Sequence, residues 1–160
     1  GDLEDTDCTR RCDVVCVDMG HILHSAITHA RDKHQLLDYV QRKLMTTLEQ
    51  SSPTERLCLF FDGPAPHAKM ILSRKKAARA NRPDFDVGRL SKLNLTTGSE
   101  LMEWIVARVQ AFPLPKGLAL HVSSAAEPGE AELKLIAWLV RHRRRDGHKR
   151  IVIVGDDYDL

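Results

Sequence analysis

The chain has 160 residues, 42% of them hydrophobic and 5% aromatic, with a formal net charge of +2. That length fits one domain of ordinary size, and the core must be built mainly from Leu, Val, Ile and Ala. No apolar run approaches a membrane-spanning helix, and no signal peptide opens the sequence.

The small net charge hides a segregation. Acids gather near the ends of apolar runs, whereas bases gather in 67–82 and 141–150. The four cysteines, Cys8, Cys12, Cys16 and Cys58, form no C-x-x-C pair, and two of them sit inside apolar runs. They read as free thiols of a reducing, intracellular compartment, with cytoplasm, nucleus and mitochondrial matrix all compatible.

In chain order, residues 1–12 read as a leader ahead of a core over 13–160. Four short apolar runs have strand character: D-V-V-C-V at 13–17, L-C-L-F-F at 57–61, G-L-A-L-H-V at 117–122 and R-I-V-I-V at 150–154. Their nearly continuous hydrophobicity predicts burial on both faces, as in a parallel sheet. Helical spacing predicts helices over 22–48, 65–80, 99–109 and 131–144, with a polar loop or shortened insert over 81–94. Alternation of strand and helix predicts an α/β domain with right-handed crossovers. The outermost residues are poor domain ends, so the chain reads as an excerpt of something longer.

Placing the acids on that layout reveals the chemistry. The runs lead into Asp18, into Asp62, into the pair Glu130 and Glu132, and into Asp157 and Asp159. Taken alone, each reads as a solvated loop residue or a helix N-cap. Taken together, four strands deliver carboxylate to the carboxyl edge of one sheet, the usual ligand crevice of this architecture. Such a cluster repels itself unless divalent metal neutralises it, and hard oxygen donors suit Mg²⁺ or Mn²⁺. Two such ions support phosphodiester hydrolysis. Glu130 and Glu132 would diverge inside a helix, but Pro128 and Gly129 predict that the helix only begins there.

The segment H67-A-K69-M-I-L-S73-R74-K75-K76-A-A-R79-A-N-R82 holds six Lys or Arg and no acid. As a helix beginning beside Asp62, it would hold phosphate through Lys69, Ser73, Arg74, Lys76 and Arg79. The run at 141–150 reads instead as a helix C-terminus favoured by the dipole.

In this order the motifs resemble the N-terminal nuclease region of the XRN-type 5′→3′ exoribonucleases, within the flap-endonuclease/PIN-like group. D18-M-G-H-I-L-H24 resembles the family's D-M-N-G-I-I-H, and D62-G-P-A-P-H-A-K69-M resembles its D-G-V-A-P-R-A-K-M. L-T-T-G-S-E-L-M resembles I-T-P-G-T-E-F-M, E-P-G-E130-A-E132-L-K resembles V-P-G-E-G-E-H-K, and G-D-D157-Y-D159-L resembles G-L-D-A-D-L. The resemblance implies a PIN-like fold and a two-ion Mg²⁺ or Mn²⁺ site on Asp18, Asp62, Glu130, Glu132, Asp157 and Asp159. It implies Lys69 over the reacting phosphate and single-stranded RNA with a 5′ monophosphate as substrate. An RNA-processing or ribonucleoprotein assembly is the implied setting.

The sequence also departs from the family. Gly20 stands where the family has Asn, and Ser73, Lys76 and Ala77 stand where its phosphate pocket has Gln and two Arg, which weakens bidentate grip. The segment between Arg79 and Thr96 is short, and the chain stops before the family's last metal-binding aspartate. These departures keep open a non-catalytic RNA-binding or assembly subunit. A flap-type DNA nuclease ranks below it, and a phosphotransferase of the haloacid-dehalogenase type is disfavoured by Gly20.

Overall fold

A computed structural model of the chain describes residues 12–64, 95, 97–145 and 149–155. Its elements are β1 (Val14–Asp18), α1 (Met19–His29), α2 (Lys33–Ser51), β2 (Arg56–Phe60), α3 (Glu100–Gln110), β3 (Ala119–Ser123), α4 (Ala131–Arg145) and β4 (Ile151–Val154). The strands form one wholly parallel sheet in the order β3-β2-β1-β4. The fold is therefore α/β, a parallel sheet flanked by helices, as the PIN-like expectation requires.

Alternation along the central strands explains why both read as unbroken apolar runs. Val15, Val17, Leu57, Leu59 and Phe61 join the large core cluster that also contains residues of α1, α2 and α3. Val14, Cys16, Cys58 and Phe60 join a second cluster with Ala131, Leu135 and Trp138 of α4. Of the described helices, three pack on one face and one on the other. Among the described residues no helix is long and apolar enough to cross a membrane.

Two expectations need correction. The helix predicted over 22–48 is two helices, because Ala30 is extended and Asp32 restarts the chain as an N-cap, accepting from the amides of His34 and Gln35. The third strand is not buried on both faces, because β3 lies at a sheet margin. Leu120 and Val122 pack on the large core, while Phe60, His121 and Trp138 line an open cavity of about 760 Å³ beside α4. The helix predicted over 65–80 and the loop over 81–94 lie outside the described residues. So do residues 1–11 of the leader predicted over 1–12, and the terminal acids within 156–160.

The three described cysteines, Cys12, Cys16 and Cys58, are buried free thiols. Cys16 and Cys58 face each other across β1 and β2. Their hydrogen bond and their burial push the Cys16 thiol well above its usual range.

The chain order reverses at β1. β2 and β3 follow on one side, and β4 returns to the other. In open α/β sheets that switch point marks the ligand crevice, and Asp18 is the residue that ends β1 there.

Candidate active site

Asp18 closes β1 and caps α1: its Oδ1 accepts the Gly20 amide at 2.9 Å. Asp62 lies two residues past the end of β2, and its Oδ1 accepts the amide of Ala131, the first residue of α4, at 2.8 Å. That bond binds the β2 carboxylate to the positive end of a helix. It leaves the other oxygen beside Gly20. A Cβ placed on Gly20 would stand 3.1 Å from Asp18 Oδ1 and 3.1 Å from Asp62 Oδ2. Two carboxylate oxygens from neighbouring strands thus converge over one glycine.

Proximity and burial act on the charge state. Burial, followed by the Asp62 carboxylate, raises the pKa of Asp18 above its ordinary value, and Glu132 adds a smaller push. Hydrogen bonds from the backbone at Gly20 and His21 oppose the rise. A half-buried carboxyl pressed by two other acids fits a divalent cation, which would supply the missing positive charge.

The fourth helix begins where Pro128 and Gly129 predict. Glu130 sits just ahead of α4, its carbonyl accepting the Lys134 amide at 3.0 Å, and Glu132 lies in the first turn. The loop before them is locked onto the Asp62 turn. The amide of Gly63 donates to the Gly129 carbonyl at 2.8 Å, and the amide of Gly129 donates to the Pro64 carbonyl at 3.1 Å. Gly63 is required there because a Cβ would stand 1.6 Å from the Glu127 carbonyl oxygen. Gly129 has φ +110°, a conformation costly for other residues. Thr97 Oγ1 donates to the Asp62 carbonyl at 3.3 Å, joining the T-T-G-S-E turn to the same point.

Among the described residues, no three His, Cys, Asp or Glu side chains stand close enough to enclose an ion by themselves. Asp157 and Asp159 lie outside the described residues, although β4, which leads to them, pairs with β1 up to Val154 opposite Val17. Lys69, Ser73, Arg74, Lys76 and Arg79 also lie outside them.

The sequence reading assigned no role to Gly63, Ser123, Glu127 or Lys134. Ser123, buried at the end of β3, donates from Oγ to Glu127 Oε2 at 2.7 Å. Lys134 Nζ donates to the carbonyls of Ser124 at 3.0 Å and Glu127 at 3.2 Å. The available signal was the compact D-G-P and E-P-G-E pair, whose glycines mark a close approach of two loops.

Comparison with known families settles the relationship. The family model for the XRN 5′-3′ exonuclease N-terminus matches residues 2–87, more than half of the chain. The chain belongs to the XRN family. It is also 24% identical over 193 residues to 5′-3′ exoribonuclease 2 of Gallus gallus, a match taking in 92% of this chain and 20% of that protein. The chain therefore spans about a fifth of that relative's length. The stretch matched by the XRN model contains Asp18, Gly20, Asp62 and Lys69. Glu130, Glu132 and Lys134 lie beyond it in sequence, and the clasp between Gly63 and Gly129 carries their segment to the same sheet edge.

Proposed function

We propose that the protein carrying this chain is a metal-dependent 5′→3′ exoribonuclease that removes nucleotides from single-stranded RNA bearing a 5′ monophosphate. The observation that carries the reading is the convergence of Asp18 and Asp62 over Gly20 at the switch point of an XRN-family sheet. Asp18, Asp62, Glu130, Glu132, Asp157 and Asp159 would hold Mg²⁺ or Mn²⁺, their oxygens being the hard donors such ions take. A bound ion pair supplies a more acidic water and charge stabilisation for the leaving oxygen.

The remaining work falls to the chain itself. The Ala131 amide holds one Asp62 oxygen while the other lies beside Gly20. The Gly20 amide fixes Asp18 in the same way. Lys69, Ser73, Arg74, Lys76 and Arg79 would bind phosphate by charge and hydrogen bonding, positioning the 5′ end without reading sequence. An intracellular RNA-processing or ribonucleoprotein setting accords with buried free thiols and an RNA substrate.

The test is turnover of 5′-monophosphate RNA by the full-length protein in Mg²⁺. Asp62→Asn keeps an acceptor for Ala131 but removes the charge, and Asp157→Asn removes a carboxylate that follows β4 in sequence. Each is expected to lower activity by more than about a hundred-fold, beyond what loss of a metal's outer partners costs. Equal activity of wild type and both variants would sink the proposal.

Gly20 motivates one other reading, a non-catalytic RNA-binding or assembly subunit. In that case the wild type binds RNA but shows no Mn²⁺ heat at millimolar metal.

A further inference from the structure

Lys134 stands on the first turn of α4, two residues after Glu132, with a half-buried side chain. A surface helix lysine ordinarily keeps its ammonium in water. This one directs Nζ to two carbonyls, Ser124 at 3.0 Å and Glu127 at 3.2 Å. Both belong to the loop that carries Glu130 into α4. The stem lies along Gly129, where a Cβ would stand 3.3 Å from Lys134 Cγ. The Glu127 carbonyl it holds is the group against which Gly63 is pressed.

Among the described residues, the clasp between the Asp62 turn and the glutamate loop is otherwise made largely by backbone groups. Gly63 donates to Gly129, Gly129 donates to Pro64, and the Ala131 amide reaches the Asp62 carboxylate. A charged donor shared by two carbonyls contributes more than a neutral one and orients them both. We propose that Lys134 is a positioning residue, its ammonium pinning the 124–129 loop so that Glu130 and Glu132 are held in fixed relation to Asp62. The proposal rests on the nuclease reading above, since it assigns Lys134 a role in the geometry of that site.

The experiment uses the full-length protein and Lys134→Met, with Lys134→Arg as the conservative variant. Lys134→Gln carries the same readings should Lys134→Met fail to fold. Amide exchange at Gly63, Gly129 and Ala131 is expected to accelerate in Lys134→Met, while exchange at Val15 and Leu57 stays as in wild type. The Mn²⁺ concentration for half-maximal binding should rise about ten-fold or more, the scale of losing a group that orients metal ligands. Excess Mn²⁺ should restore most of the turnover, and Lys134→Arg should behave nearly as wild type.

Unchanged exchange at the three amides overturns the proposal. So does faster exchange with an unchanged Mn²⁺ requirement, which would make Lys134 a loop strut and nothing more. A wild type that neither binds Mn²⁺ nor cuts RNA is a separate failure and brings down the nuclease reading itself.

Discussion

At the scale of single residues, Asp18 and Gly20 set a conflict between stability and function. Asp18 keeps its proton at pH values where the unfolded chain has already released it, because burial and Asp62 raise its pKa in the fold. Its contribution to stability is therefore fully present below the ordinary carboxylate range and is lost as pH rises through the raised value. Metal-free Asp18→Asn should melt higher than wild type at pH 7, and the difference should vanish as the pH falls toward about 4. The gain is a few degrees at most, because solvent screens a half-exposed carboxyl. An Asp18→Asn melting point equal to or below wild type at neutral pH would contradict the assignment. Mn²⁺ should then raise the melting temperature of wild type alone. Gly20→Ala has two opposed effects. Alanine gains about 1 kcal/mol in a helix, whereas its methyl crowds two carboxylate oxygens at 3.1 Å. Urea unfolding should show little net change, while Mn²⁺ titration should show weaker binding.

At the scale of elements, the clasp between D-G-P and E-P-G-E does what no single element can. It sets the end of β2 against the start of α4. Gly63→Ala puts a methyl 1.6 Å from the Glu127 carbonyl oxygen, so the loops must part. Its cost should reach or exceed the roughly 1–3 kcal/mol typical of overpacking, read from urea midpoints. A loss within experimental error would show that the loops separate freely. The elements also show how far the sequence was readable. Apolar runs located all four strands within two residues at either end, since burial on one or both faces leaves a strong hydrophobic signal. Joining Ile27 to Leu36 as one helical pattern hides the break between α1 and α2, whose signs are the polar stretch 28–35 and the N-cap at Asp32. On α4, periodicity finds the buried stripe Ala131, Leu135 and Trp138. It does not separate that stripe from Leu133, Ile136 and Val140, which are 60%, 43% and 51% exposed. Asp18 and Asp62 were legible because the parallel neighbours β1 and β2 end side by side. Lys134 and Ser123 were not, because their partners are backbone or loop groups fixed only by the folded turn.

At the scale of the whole molecule, the sheet order explains why Asp18 and Asp62 meet at one edge. The switch point lies between β1 and β4, β2 is the other neighbour of β1, and α4 starts against the end of β2. Residues far apart in sequence therefore meet at one edge without any local motif joining them. The same layout leaves repulsion between carboxylates as a standing cost of the metal-free fold. At free Mn²⁺ a hundred times its Kd, binding at this edge should stabilise the protein by about 2.7 kcal/mol. The most direct measurement is anomalous scattering from Mn²⁺ in crystals soaked with the ion. The account predicts a peak in contact with Asp18 and Asp62, at about 2.1 Å from their oxygens, with Glu130 or Glu132 turned toward it. Saturating Mn²⁺ with no peak between Asp18 and Asp62 would contradict it.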